Sequence, residues 1–220
     1  MILDQVIAAA SPKVVRRVWI VSDLQQRYPD RATHCMTRAA DDFVSLGLHC
    51  DAVCYLGDAV EGGNIEFLMD MSRMQQEQFA RVDAPVYYVL GNHDFDYFAE
   101  HHETLSRMEL PFFEYMQKQA QWHTQADIRD MCFTADLGPF VLCFLTDHAD
   151  PAGRWYTTHG EIRGDASLYP YTETDYQLLR DRLAALNKPL ITLSHYSFAG
   201  GNRAAPLFDR FLPLPAQERI

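Results

Sequence analysis

The 220-residue chain is short of basic residues, with 19 lysines and arginines against 30 aspartates and glutamates, a formal net charge of −11. A nucleic-acid backbone or an anionic membrane must be met by a basic surface, so we expect neither a nucleic-acid polymer nor a membrane as partner. No apolar run reaches membrane-spanning length, and the apolar patch near Met1 precedes its basic residues, the reverse of a signal peptide. We therefore expect a cytoplasmic protein.

The chain also has few cysteines and no internal boundary. The five cysteines are odd in number and lack the paired spacing of a metal site, so buried free thiols in a reducing compartment are expected rather than disulfides. Neither a linker nor a low-complexity stretch divides residues 1–220. We expect a single α/β domain.

What is present is a repeated order of strand, helix and strand. Residues 17–22, 51–56 and 86–90 are nearly continuous apolar runs, typical of strands that are covered on both faces. Helical patterns over 33–47 and 64–81 lie between them. Right-handed crossovers would place the three strand ends along one edge of a parallel sheet.

The second half is less regular. Strands are predicted over 131–135, 140–145 and 189–194. Thr174 fits a capping box that opens a helix, whose apolar face includes Leu179 and Leu183. Residues 96–125 are expected to form two short helices, and 149–171 a long loop of the kind that is functional or disordered.

Polar side chains follow four of the predicted strands. They are Asp23 and Gln25, then Asp58, then the run Asn92, His93 and Asp94, and finally His195. Ligands of open α/β sheets bind beyond the carboxyl ends of strands, so this recurrence indicates a functional site. Simpler interpretations stay open for single residues: a backbone-bonded histidine at the core edge for His195, and a solvated loop residue for Gln25. Asp58 is harder to explain structurally, because an acid beside an apolar strand costs stability.

In order and context these residues resemble the calcineurin-like metallophosphoesterase superfamily. The resemblance implies a two-sheet α/β sandwich that holds two divalent metal ions and hydrolyses phosphoesters with a metal-bridging hydroxide. Asp23 and Gln25 would bind the first ion, Asp58 both ions, and Asn92 and His195 the second. A shared carboxylate offsets the repulsion between two cations. His93 would protonate the leaving oxygen, and Asp94 could orient that imidazole.

Two departures from the family pattern refine this expectation. Gln25 stands where histidine is commoner, as in a branch that includes ADP-ribose and CDP-alcohol diphosphatases, which favours a small phosphodiester or diphosphate, such as a nucleotide, over a phosphomonoester. The oxygen-rich ligand set favours Mn or Fe, with Mg or Zn as alternatives. The family's closing Gly-His-x-His is absent, so we expect a C-terminally shortened sandwich that lacks its last strands. The alternative is a non-catalytic binding or scaffold domain with a degenerate metal site.

Overall fold

A computed structural model of the chain describes residues 16–24, 29–58, 65–89, 91, 118, 122–124, 130, 132–145, 155–157, 160–162 and 173–195. Among these residues, two main β-sheets and three α-helices build an α/β arrangement. The α/β fold with two sheets is therefore confirmed. That the whole chain is a single domain stays a prediction.

The first sheet, sheet A, is parallel throughout. Its strands, in spatial and chain order, are β1 (Val18–Val21), β2 (Ala52–Tyr55), β3 (Val86–Tyr88) and β4 (Trp122–His123). Helix α1 (Pro29–Ser45) follows β1, and α2 (Ile65–Phe79) follows β2 and ends in a 3-10 turn, Ala80–Val82. The predicted β-α units are confirmed. Helix α1 begins four residues before the predicted Thr33, because Pro29 has a backbone angle that suits a first helical position.

The second sheet, sheet B, mixes strand directions. It contains β5 (Cys132–Asp136), β6 (Val141–Leu145) and β9 (Leu190–Ser194), with β5 antiparallel and β9 parallel to the central β6. Helix α3 (Glu173–Ala185) precedes β9 and buries Leu179 and Leu183, as expected. The helix begins at Glu173, so Thr174 lies in its first turn and the predicted cap position is two residues too late in the chain.

Two predictions about irregular segments need correction. The segment 96–125 was expected to be helical, but its described end contains β4, which pairs with β3 through Val86 and Trp122. The two helices themselves fall outside the described residues. The predicted loop 149–171 contains a small antiparallel pair, β7 (Trp155–Thr157) and β8 (Gly160–Ile162). Strands β4, β7 and β8 have only two or three residues each and are not part of a longer apolar run such as 86–90, so the sequence carries no signal for them.

The two faces of sheet A are covered by different layers. On its outer face aromatic side chains meet the helices: Trp19 stacks on Phe43 with ring centroids 4.5 Å apart, and Tyr55 contacts Phe79 at 5.4 Å. On its inner face the sheet packs against sheet B through an apolar cluster of Ala52, Cys54, Val89, Ala135, Leu142, Phe144 and Leu193. All four residues of β2 are buried because both layers cover this strand.

In the described part of the chain, no helix combines the length and the apolar composition that crossing a membrane would require.

Phe144 is the best test of the contact between the sheets, since its ring is fully buried and stacks on Phe133 at 4.6 Å and on Tyr87 at 5.3 Å. Phe144→Ala should lower the free energy of unfolding by about 3–5 kcal/mol, because the cavity lies between two layers. The control Ile191→Ala removes a side chain that is 44% exposed, and should cost about 1 kcal/mol or less. Urea denaturation measures both, and equal losses would contradict this packing.

Candidate metal centre

Three potential ligands meet at the ends of three strands. Asp23 lies two residues beyond β1, Asp58 lies three residues beyond β2, and His195 directly follows β9. One ligand atom from each of them lies within 4.8 Å of the other two. Because β1 and β2 belong to sheet A and β9 to sheet B, the cluster spans the end of the contact between the sheets.

Both aspartates have an unusual backbone conformation. The φ angles of Asp23 and Asp58 are +57° and +55°, in the left-handed region that aspartate tolerates better than most residues. Asp83 and Asn187 share this conformation but follow the ends of helices, where it is common. At Asp23 and Asp58 it instead turns the chain directly after a strand. The Asp23 amide donates to the Gly57 carbonyl at 3.1 Å, which joins the two turns.

Two glycines allow these turns to approach closely. A Cβ atom on Gly57 would lie 2.6 Å from the Gly91 nitrogen and 3.0 Å from His195 Nδ1. A Cβ atom on Gly91 would overlap the carboxylate and the backbone nitrogen of Asp58. Because Gly91 has no side chain, Asp58 can lie against it, and because Gly57 has none, His195 and Gly91 can lie next to Gly57.

The hydrogen bond of His195 fixes which of its ring nitrogens can bind a metal. Nδ1 lies 2.7 Å from the Leu56 carbonyl oxygen, and a carbonyl can only accept, so Nδ1 carries the proton. In a neutral ring Nε2 is then the unprotonated nitrogen. Metal-binding histidines in proteins generally bind the metal through one ring nitrogen and donate the N–H of the other to a carbonyl or carboxylate. The donated hydrogen bond fixes the tautomer and the ring orientation.

The second ring nitrogen of His195, Nε2, faces a buried acid. Nε2 lies 3.4 Å from Asp58 Oδ2, and Asp58 is only 2% exposed. A neutral imidazole and a carboxylate would oppose two lone pairs, so a proton or a cation between these two atoms would stabilise the contact. Two atoms that bind one ion at about 2.1 Å, roughly 90–110° apart, lie about 3.0–3.4 Å from each other. The observed separation and the oxygen and nitrogen donors fit a divalent metal ion.

Ser22 supports the same arrangement from β1. Its hydroxyl oxygen contacts Asp23 Oδ2 closely and lies 3.2 Å from the Leu56 carbonyl oxygen, which also accepts from His195. The hydroxyl has one proton, and a carboxylate is the stronger acceptor, so the donation goes to Asp23. This bond orients one of the three candidate ligands.

The structure brings together three of the residues that the sequence singled out, namely Asp23, Asp58 and His195. Gln25, Asn92, His93 and Asp94 lie outside the described residues, so their places in a site stay predictions. Ser22 and the Leu56 carbonyl were not predicted. The only sequence signal for Ser22 was its position directly before Asp23, and a backbone carbonyl leaves no signal.

Comparison with known proteins agrees with this geometry. The sequence profile described as calcineurin-like phosphoesterase matches residues 16–214, which is most of the chain. The chain belongs to the calcineurin-like phosphoesterase family. Its fold is similar to that of a dimetal phosphatase from Danio rerio, with a TM-score of 0.51 and 14% sequence identity over 82% of this chain and 69% of that one. No match is found among curated proteins.

Gly57 and Gly47 form a matched pair for testing the site of this phosphoesterase. Both have positive φ angles, but a Cβ atom on Gly47 would meet nothing within 4 Å. Gly57→Ala should weaken Mn²⁺ binding about tenfold or more, because the added methyl group displaces Gly91 or His195. Gly47→Ala should cost stability on the order of 1 kcal/mol and leave Mn²⁺ binding unchanged. Calorimetric titration measures the Mn²⁺ affinity of both variants. Similar affinities would contradict the expectation that a side chain at position 57 displaces Gly91 or His195.

Ser22→Ala tests the hydroxyl that orients Asp23. Loss of a group that positions a ligand typically costs about 10–100-fold in metal affinity, and we expect the lower end because the Asp23 carboxylate itself stays. Ser45→Ala is the control, since the exposed Ser45 hydroxyl donates to the Asp42 carbonyl within α1. An unchanged Mn²⁺ affinity in Ser22→Ala, measured by the same titration, would refute the role of Ser22.

Proposed function

We propose that this phosphoesterase hydrolyses a small phosphorylated compound with two divalent metal ions, Mn or Fe, held at the edge shared by the two sheets. The observation that carries the proposal is the meeting of Asp23, Asp58 and His195, with His195 Nε2 3.4 Å from the Asp58 carboxylate. The family match supports a phosphoester as the bond that is cleaved.

Each residue of the cluster has a distinct part in this proposal. Asp58, the buried member of the cluster, would be the shared ligand of both ions, while Asp23 would bind one ion and His195 the other. Gln25 and Asn92 complete the two ligand sets. When bound, the ions would polarise the phosphoryl oxygens and make water a stronger nucleophile. The protein contributes a fixed arrangement of oxygen and nitrogen donors on rigid strand ends.

Proton transfer falls to the segment that follows β3. We assign His93 as the acid that protonates the leaving oxygen and Asp94 as the carboxylate that orients its ring. Gly91, the last described residue before them, already lies against Asp58 and Gly57. The described chain therefore reaches the edge of the candidate metal centre two residues before His93, which supports this assignment.

The substrate class follows from charge and from the amide at position 25. With a net charge of −11 the protein surface does not attract phosphate by itself, so the metal ions must supply the positive charge. On the same ground we do not expect a polymer of phosphates as the substrate. Gln25 favours a phosphodiester or diphosphate of a small molecule, such as a nucleotide, over a phosphomonoester. A cytoplasmic location, where free thiols persist, completes the proposal.

The experiment that tests this function combines metal analysis with turnover. The metal-free protein is titrated with Mn²⁺, and hydrolysis of bis-p-nitrophenyl phosphate is compared with that of p-nitrophenyl phosphate at each metal concentration. Turnover that rises with metal occupancy and favours the diester is the expected result. Full metal occupancy without turnover on either compound would instead support the alternative of a non-catalytic binding domain.

Two substitutions separate metal binding from proton transfer. Asp58→Asn should lower the bound metal content, because the shared ligand loses its charge. His93→Ala should keep the metal content but slow turnover by about a hundredfold or more, the size typical of lost acid catalysis. Their controls are Asp42→Asn and His49→Ala, which alter exposed residues away from the cluster. Wild-type metal content and turnover in either test variant would overturn its assignment.

A further inference from the structure

Two cysteines lie together on the outer face of sheet B. Cys132 begins β5 opposite Leu145, and Cys143 on β6 lies opposite Thr134. Because side chains alternate along a strand, Cys132 and Cys143 are diagonal neighbours on one face, while Phe133 and Phe144 occupy the other. Both cysteines are buried, at 3% and 0% exposure, and both are free thiols.

An arginine from α3 contacts one of the two sulfur atoms. Arg182 Nη2 lies 2.9 Å from Cys132 Sγ and 3.1 Å from the Cys132 carbonyl oxygen. A guanidinium group only donates, and a thiol is a weak acceptor, whereas a thiolate accepts strongly. This contact therefore favours a negative charge on Cys132 and none on Cys143.

The second thiol acts in the same direction. The largest effect on the pKa of the Cys132 thiol is the hydrogen bond from Cys143, which lowers this pKa. Burial raises the pKa, the Arg182 guanidinium lowers it, and the charge of Asp130 raises it weakly, so that the pKa is lowered in total. Donation and burial raise the pKa of Cys143 well above its ordinary value. The two thiols thus differ: the pKa of Cys132 lies below its ordinary value and that of Cys143 above it.

The other buried cysteines have the opposite environment. Cys50 Sγ lies 3.1 Å from the Ala52 carbonyl oxygen, where only a thiol can donate, and burial raises its pKa. Burial likewise raises the pKa of Cys54 to about 12. Neither has a contact to a basic side chain among the hydrogen bonds of the described residues, so both should stay unreactive thiols.

We propose that Cys132 and Cys143 form a peroxide-reactive dithiol site, with Cys132 as the nucleophile and Cys143 as the resolving thiol. The Cys132 thiolate attacks one oxygen of hydrogen peroxide, the O–O bond breaks, and the departing hydroxide takes a proton to leave as water. Cys132 is then a sulfenic acid. The Cys143 thiol attacks its sulfur, an S–S bond forms, and the sulfenic oxygen leaves as a second water. The two sulfur atoms lose two electrons in total, and the peroxide gains them.

Burial and strand position determine which reagents this site accepts. Hydrogen peroxide is little larger than water, whereas an aromatic disulfide reagent is too large for sulfur atoms beneath α3. Diagonal neighbours across a strand pair start with Cβ atoms farther apart than the roughly 3.5–4.5 Å of a disulfide. Cys132 is the first residue of β5, so only that end of the β5 and β6 pair must move for the two sulfur atoms to bond. Because the strands must move, the disulfide should be strained and easily reduced.

Intact-mass measurement of the full chain in a Cys35→Ser background tests the proposal, because Cys35 is the exposed cysteine. The metal-free, reduced protein is treated with one equivalent of hydrogen peroxide. We expect the loss of two hydrogens per chain, with a peptide pair linking Cys132 to Cys143, and full reversal by a mild thiol. An aromatic disulfide reagent should label neither cysteine in the folded protein. Retention of all thiols after peroxide, or oxidation at Cys50 or Cys54 first, would overturn the proposal.

Three variants assign the roles. Cys143→Ser should stop the reaction at the sulfenic acid, which dimedone then captures on Cys132. Arg182→Met should slow thiol loss roughly tenfold, as expected when a thiolate loses its cationic partner, whereas Arg180→Met on the same helix should not. Circular dichroism establishes that each variant is folded. Absence of the dimedone adduct in a folded Cys143→Ser, or equal rates in the two arginine variants, would also refute the assignment.

Discussion

The carboxylate of Asp58 is buried at the point where the two sheets meet, and a buried carboxylate must be balanced by positive charge and hydrogen bonds. His195 approaches it from sheet B, with Nδ1 bonded to Leu56 and Nε2 directed at the acid. This contact is surrounded by the turns after β1 and β2, by Gly57 and Gly91, and by the Ser22 hydroxyl. The local structure is therefore best understood as a scaffold for one charged centre.

The wider fold explains why this centre is rigid. Strand β2 is covered on both faces, by an aromatic layer under the helices and by the apolar cluster against sheet B. Its end is tied to the neighbouring strands, since the Leu56 amide donates to Val21 and the Val89 amide to Tyr55. Sites mounted on such strand ends are held more accurately than sites on long loops, which suits metal ligands that must meet within a few ångströms.

Much of this could be read from the sequence, for identifiable reasons. Strands β1, β2, β3, β6 and β9 are continuous or nearly continuous apolar runs, and the intervening helices have clear periodicity. Of the polar residues expected to converge after those strands, Asp23, Asp58 and His195 lie together in the described part of the chain. The two-residue β4 and the β7 and β8 pair escaped prediction because tertiary pairing, rather than local pattern, creates strands that short.

The finer features of the site depend on contacts between distant residues. Nothing local predicts that Gly57 must lack a side chain because Gly91 lies against it, or that one carbonyl at Leu56 receives His195 and lies beside Ser22. The pairing of Cys132 with Arg182, fifty residues apart, is equally invisible in the sequence, which indicated only that the cysteines are free and mostly buried.

Anomalous diffraction at the manganese edge, from crystals grown with Mn²⁺, tests the central claim most directly. The account predicts a strong peak at about 2.0–2.4 Å from a carboxylate oxygen of Asp58 and from His195 Nε2, with a second peak a few ångströms away. A protein that binds Mn²⁺ in solution but has its anomalous peaks away from Asp58 and His195 would contradict it.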